Sequence, residues 1–421
     1  MRIGNSMTRV MKCIADYGTA FFRWLSLGLI VGAVSGAIGS LFAISINYVT
    51  DMREEHGWLI LLLPLGGLAV TAIYKLCRVT GMGTNDVFVS VCTEKKVSYL
   101  LAPAVFIGSV ITHLFGGSAG REGAALQLGG SVASLLGSIL RLNEKTRHII
   151  TMCGMGAFFS ALFGTPVGAC VFALEVVSVG HFCSAAFFPA LVSCVSAFGV
   201  SSLLGVHPER FLLVDVPGLN FNITWRVAVI AVAGAFVSIL FCNIMQLSER
   251  LFKRFIGNDY LRVFVGGVII IVLTWIVGNQ DYNGGGIGVI DRIFKDGSVR
   301  YEAFLLKIIF TAVTMSVGFK GGEIVPTFFI GATMGGSLAV LLGLNPALGA
   351  AVGMAALFSG VTNCPLATIV LCVELFSGQG FIYCALASVT SFLLSGHVSL
   401  YTKQRQIYSK LTEDIIDTCV E

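Results

Sequence analysis

Long apolar runs alternate along this chain with short ones broken by glycine. Residues 21–49 (FFRWLSLGLIVGAVSGAIGSLFAISINYV), 58–74 and 225–245 each approach or exceed the ~20 apolar residues that cross a bilayer. Residues 122–140, 148–163 and 166–178 are instead separated by charged, Gly or Pro punctuation, and the last two are too short to span upright. Irregular backbone at membrane depth is tolerated only inside protein or beside a watery cavity. The glycine-rich breaks at 81–84, 116–123 and 318–323 are therefore expected to meet in the interior of an all-α polytopic membrane protein.

The pattern also repeats. GMGAFFSALFGTPVGACVFALEVV (154–177) lies over GMAALFSGVTNCPLATIVLCVELF (353–376) at an offset of 199 positions, with 8 of 24 identical. The matches include Gly154 with Gly353, Pro166 with Pro365, and Glu175 with Glu374. GMG (81–83) is echoed by GGG (284–286), and the break holding Glu122 by the one holding Glu323. Two halves are expected, 20–210 and 211–396, flanked by an N-terminal segment (1–19) and a C-terminal one (397–421). Internal duplication is a common transporter build, with the substrate site where the halves meet. Glu175 and Glu374 recur in both halves, which fits shared packing or helix capping better than transport.

Composition narrows the class. Only 12% of the 421 residues are charged, against about 25% in soluble domains. A net charge of +4 argues for no nucleic-acid partner. Twelve cysteines without a CxxC pair and six histidines without HxxxH spacing predict no metal site, and nothing calls for a cofactor. No cleavable leader and no soluble regulatory module are expected. Basic residues near both ends (Arg2, Arg9, Lys12, Arg23; Lys403, Arg405, Lys410) predict cytoplasmic termini and an even number of crossings.

Each break precedes a helix-compatible run, so each presents helix N-terminal amides carrying roughly +0.5 of an elementary charge. Such ends bind anions. Glycine there could serve only close helix packing, but Glu122 and Glu323 lie inside two of the breaks, and an intramembrane carboxylate is a functional candidate by default. A salt bridge between Glu122 and its neighbour Arg121 is not expected, because adjacent residues on a helix do not face each other. Arg121 is expected to anchor the loop through carbonyls or an acidic partner, and Glu323 has Lys320 as a structural alternative. An intramembrane hydrolase using Ser118 with His113 is a remote alternative, since GGSAG is a common pattern and catalysis leaves the duplication unexplained.

GREG (120–123), with its small apolar run and following GG pair, resembles the GREGP signature of the CLC family of chloride channels and anion/proton antiporters. GMGTN (81–85) occupies the place of that family's GSGIP motif and GGEIVP (321–326) that of GxFxP, while GTPVGACVFALEVV resembles the stretch ending in paired glutamates. Order and spacing match over roughly 20–410. The resemblance implies a CLC-type fold of inverted-repeat halves with broken, tilted helices, a homodimer, and one ion path per subunit. It implies Glu122 as the gating, proton-transferring glutamate. It places Met82, Gly83, Thr84, Asn85, Gly120, Arg121, Gly123, Ile324 and Val325 around the anion, with a C-terminal tyrosine, Tyr401 in preference to Tyr408.

The departures point to one branch. Met82 replaces the anion-binding serine, Ala124 the proline of GREGP, and Ile324 the phenylalanine of GxFxP, preceded by Glu323. Val176 stands where chloride antiporters carry an internal proton-transfer glutamate. Together these resemble the bacterial fluoride/proton antiporters, which implies fluoride and protons as substrates in a bacterial inner membrane, with Glu323 as a coupling group. The alternative within the family is a chloride/proton antiporter or chloride channel.

Overall fold

In the computed structural model, residues 2–419 are described except 94, 96, 181, 215, 411 and 413, with side chains placed for 15–414. The described residues form sixteen helices, eight in each half. The first half contains α1 (Arg2–Glu55), α2 (Leu63–Leu76), α3 (Thr84–Cys92), α4 (Leu101–Leu114), α5 (Glu122–Ile139), α6 (Glu144–Phe163), α7 (Pro166–Glu175) and α8 (Ser184–Leu203). The second contains α9 (Phe221–Phe255), α10 (Asp259–Val277), α11 (Ile287–Asp296), α12 (Ala303–Val317), α13 (Ile324–Leu341), α14 (Pro346–Thr362), α15 (Pro365–Leu375) and α16 (Phe381–Leu394). Among the described residues, six helical segments are long and apolar enough to cross a bilayer, and others are shorter apolar helices of 10–17 residues.

Local chemistry repeats between the halves. Asn143 and Asn345 cap α6 and α14, each side-chain oxygen accepting a first-turn amide. Those helices end on left-handed residues, Gly164 (φ 70°) and Asn363 (φ 58°), and Pro166 and Pro365 then start α7 and α15. Proline at a first helical position loses only an amide that had no partner. The run at 148–163 is the apolar part of α6, which begins at Glu144 and has 20 residues but is not among the six helical segments long and apolar enough to cross a bilayer. Its first turn, EKTR, is polar and hides the helix from a reading by hydrophobicity.

Glycine sets the packing within each half. An added Cβ at Gly129 would lie 2.2 Å from the Gly154 carbonyl oxygen, and one at Gly335 2.1 Å from that of Gly349. Thus α5 meets α6, and α13 meets α14, backbone to backbone, as small residues allow in membranes.

The halves are latched reciprocally. The Glu175 carboxylate at the end of α7 accepts the Leu366 and Ala367 amides at the start of α15 (3.1 and 2.7 Å). The Glu374 carboxylate at the end of α15 accepts the Val167 and Gly168 amides at the start of α7 (3.1 and 2.7 Å). Both glutamates are therefore helix caps, each serving the other half. Charge-assisted bonds to helix amides contribute about 1.5–3 kcal/mol. Glu374→Ala should therefore lower the thermal unfolding temperature by several degrees without altering ion selectivity, a split that calorimetry and transport assays on the same preparation would check.

A small sheet, not expected from the sequence, fixes the C-terminal segment. Strand β1 (Ser178–Val179) pairs in parallel with β2 (Arg405–Tyr408), which pairs antiparallel with β3 (Ile415–Cys419). Before it, the buried Gln404 amide donates to the carbonyls of Val176 and Thr362 (2.9 and 2.8 Å). This fastening places Tyr401 inside the protein.

Candidate functional site

The breaks before α5 and α13 meet head to head. Gly120 and Gly322 form an isolated antiparallel bridge, each amide donating to the other's carbonyl at 2.7 Å. A Cβ on Gly322 would fall 2.2 Å from the Gly123 nitrogen and 2.7 Å from its Cα. Only glycine permits this approach, and the bridge leaves two helix N-termini abutting at the centre of the molecule.

Two cavities flank this bridge. The first, of about 410 Å³, is lined by Gly120, Arg121, Glu122 and Val325, with Arg53, Asn283 and the 285–286 glycines. The second, of about 220 Å³, is lined by residues 81–85, Gln127, Gln246, Lys320, Glu323 and Tyr401. They are lined by different parts of the chain. Arg53 at the C-terminal end of α1 borders the first, while Leu400–Thr402 borders the second. That C-terminal segment continues to Arg405, beside Lys145 and His148 of α6, whose first turn bonds Arg23 of α1. Roughly 45 Å of helix separates Arg23 from Arg53 at 1.5 Å per residue. The GMG and GGG echoes thus line opposite cavities, as halves of inverted topology require.

Glu122 is 1% exposed and folds back over the N-terminus of its own helix. Its Oε2 accepts the Arg121 amide at 2.9 Å, and Oε1 lies 3.4 Å from Arg121 Nε. The carboxylate occupies the place that a small anion would take at a helix start. The ion pair that helix geometry argued against is present, because Arg121 precedes α5 and the i, i+1 rule applies only within a helix. Arg121 is anchored further by Asn47 Oδ1 (2.8 Å) and Glu209 Oε1 (2.7 Å). Sequence reading named neither partner, since they lie 74 and 88 residues away.

On the other side Glu323 borders the second cavity. Its Oε2 is buried without a hydrogen-bond partner and reaches the first turn of α5, where a Cβ on Gly123 would lie 3.0 Å from it. The alternative pairing with Lys320 does not form. That amine sits over the Tyr74 ring, 4.5 Å from its centroid. Facing the same space, the buried Tyr401 hydroxyl and Gln246 Nε2 also lack partners. Thr84 Oγ1 accepts from Gln127 Nε2 (3.0 Å) and so keeps its own proton free to donate.

The remaining expected residues divide. Met82 and Gly83 line the second cavity, although the Gly83 amide is already committed to Asp86 (3.0 Å). Asn85 also lines it and ties the C-terminal segment through Thr402 and Lys403. Gly123 and Ile324 border neither cavity and are buried at the bridge. Tyr408 is 48% exposed on β2, which leaves Tyr401 as the tyrosine facing the interior. Gln127 and Gln246 escaped the sequence reading. Gln127 stands among small residues of α5, and Gln246 has Asn243 and Glu249 on its own face of α9, so neither stood out before the facing break was known. The hydrolase pair is not assembled. Ser118 Oγ shares a hydrogen bond with Thr311 (3.1 Å), and His113 Nδ1 bonds the Ser109 carbonyl (2.8 Å).

Comparison with known proteins accords with this geometry. Residues 66–396 match the family model described as voltage gated chloride channel. A "Chloride/fluoride channel protein" of Pseudomonas syringae pv. tomato is 37% identical over 399 residues, covering 92% of this chain and 87% of its own. A solved "CLC-type fluoride/proton antiporter" superposes with a TM-score of 0.89 at 33% identity, over 92% of this chain and 98% of that one. A "slow cyanobacterial Cl-/H+ antiporter" shares the fold, with a TM-score of 0.76 at 20% identity over 89% of this chain and 94% of that one.

Proposed function

Because this chain belongs to the voltage-gated chloride channel family, we propose that it exchanges fluoride for protons across the bacterial inner membrane. One observation carries the reading: two carboxylates, Glu122 and Glu323, stand on opposite sides of a bridge built from helix N-termini. An anion crossing the protein must displace at least one carboxylate from a helix end, and protonation is what releases it. Anion and proton thus compete for one position, which is the basis of exchange.

Fluoride selectivity is supported by the donors at the second cavity. Fluoride is small, strongly hydrated and a strong acceptor, so its water must be replaced by closely placed donors. Thr84, Gln246 and Tyr401 offer such groups, and protonated Glu323 adds one linked to a proton. Met82 supplies no hydroxyl. With Val176 unable to carry a proton, Glu122 itself swings inward and passes its proton toward Glu323. The second cavity then faces the cytoplasm with both termini, and the first faces outward. The active unit is taken as a homodimer with one path per subunit.

The test is efflux from liposomes loaded with fluoride or chloride, read by ion-selective and pH electrodes together. Fluoride efflux with stoichiometric proton uptake is expected, with much slower chloride efflux. Proton-coupled chloride efflux at an equal rate would reassign the chain to chloride exchange, and uncoupled efflux would make it a channel.

A further inference from the structure

Arg53 ends α1 at the wall of the outer cavity. Its side chain is 5% exposed, yet its nearest carboxylate oxygen, on Glu54, is 3.7 Å from Nη2 and belongs to a side chain 69% exposed. Nε and Nη1 are buried without any hydrogen-bond partner. A guanidinium keeps its proton and carries five donors, and a buried charge left uncompensated is strongly unfavourable. Other cations in and near this wall have acceptors, although Arg121 Nε also lacks a hydrogen bond. Arg121 holds Glu122 and Glu209, Arg292 holds Asp281 at 2.7 Å, and the Lys307 amine donates to the carbonyls of Tyr282 and Gly284 (3.1 and 2.7 Å).

The wall is also shaped to keep Arg53 where it is. Gly284 has φ of 59°, and a Cβ there would lie 2.7 Å from Arg53 Nη1. Its amide donates to Gly117 (3.1 Å), and its carbonyl is the one gripped by Lys307. The loop is thus fastened against the guanidinium without supplying an acceptor to its buried Nε and Nη1.

We propose that Arg53 anchors an outer anion-binding station, distinct from the Glu122 position, which takes a small monovalent anion from solution and delivers it to the carboxylate gate. The missing acceptor in the wall is the anion itself. Arg53 lines the same outer cavity as Glu122, so an anion entering that cavity meets the guanidinium on the way to the gate. The direction of traffic rests on the exchange reading above; the binding site does not.

The test compares Arg53→Gln and Arg53→Lys with the parent chain in right-side-out and inverted membrane vesicles. R53Q should raise the fluoride KM about tenfold or more at one face only, since a charge-assisted bond is lost. The opposite face and the proton-to-fluoride ratio should not change. R53K, which keeps the charge and loses the fork, should recover part of the affinity. An unchanged KM at both faces, or an equal rise at both, would overturn the proposal. Calorimetric titration of the purified, monodisperse proteins with sodium fluoride and sodium chloride separates the two readings. If the parent chain binds anion but exchanges none, and R53Q loses a binding site, the station stands and the exchange reading fails. If the parent chain exchanges fluoride and R53Q binds anion with undiminished affinity and stoichiometry, the station fails alone.

Discussion

Glu122→Gln is expected to remove proton coupling while leaving the protein folded. Glutamine keeps the shape and an acceptor oxygen for the Arg121 amide, now met at 2.9 Å, but it can neither bind nor release a proton. It also carries no charge to compete with an anion at the start of α5. Fluoride-driven proton uptake should therefore fall by at least about a hundredfold, the scale of a lost proton-transfer group, while any residual fluoride movement becomes insensitive to the pH gradient. Paired fluoride and pH electrodes on the same liposomes would measure both. A variant that still moves protons against fluoride at the parent ratio would remove Glu122 from the mechanism.

The second large effect is steric. In Gly322→Ala the new methyl would fall 2.2 Å from the Gly123 nitrogen and 3.2 Å from that of Glu122. Its close neighbours are backbone, which cannot rotate away as a side chain could. Overpacking of this kind costs about 1–3 kcal/mol or more, and the two bridge hydrogen bonds, worth about 1 kcal/mol each, would be lost with it. The expected result is a protein destabilised by roughly 3–5 kcal/mol, or one that folds with the barrier open and leaks anions without protons. Gly83→Ala is the matched control. A Cβ there meets nothing within 4 Å, and its extended φ of −161° suits any residue, so stability should stay near that of the parent. Equal stability of the two variants in denaturant titration would refute the bridge as a structural requirement.

The contrast between these glycines marks what the sequence could reveal. The breaks at 81–84, 116–123 and 318–323 were legible because glycine and lone carboxylates have few reasons to interrupt apolar runs. The recurrence of Pro166 as Pro365, and of Glu175 as Glu374, exposed the duplication and even the capping role. The division into two cavities was not legible, since it depends on which way Glu122 and Glu323 turn around a bridge whose strands lie about 200 residues apart. Nor were Asn47 and Glu209, which grip Arg121 from distant elements. Arg53 drew no notice in the sequence. Its importance comes from partners it lacks, and a string of letters does not record missing partners.

The crossed caps have a consequence for synthesis. When α7 emerges, the amides at its start and the carboxylate at its end must wait for residues 366–374, which the ribosome reaches about 190 positions later. At 5–20 residues per second that interval is roughly 10–40 s. During it α7 holds first-turn amides and a terminal carboxylate without the partners they have in the finished protein. Truncation before residue 366 should therefore give a product that is degraded rather than a stable half.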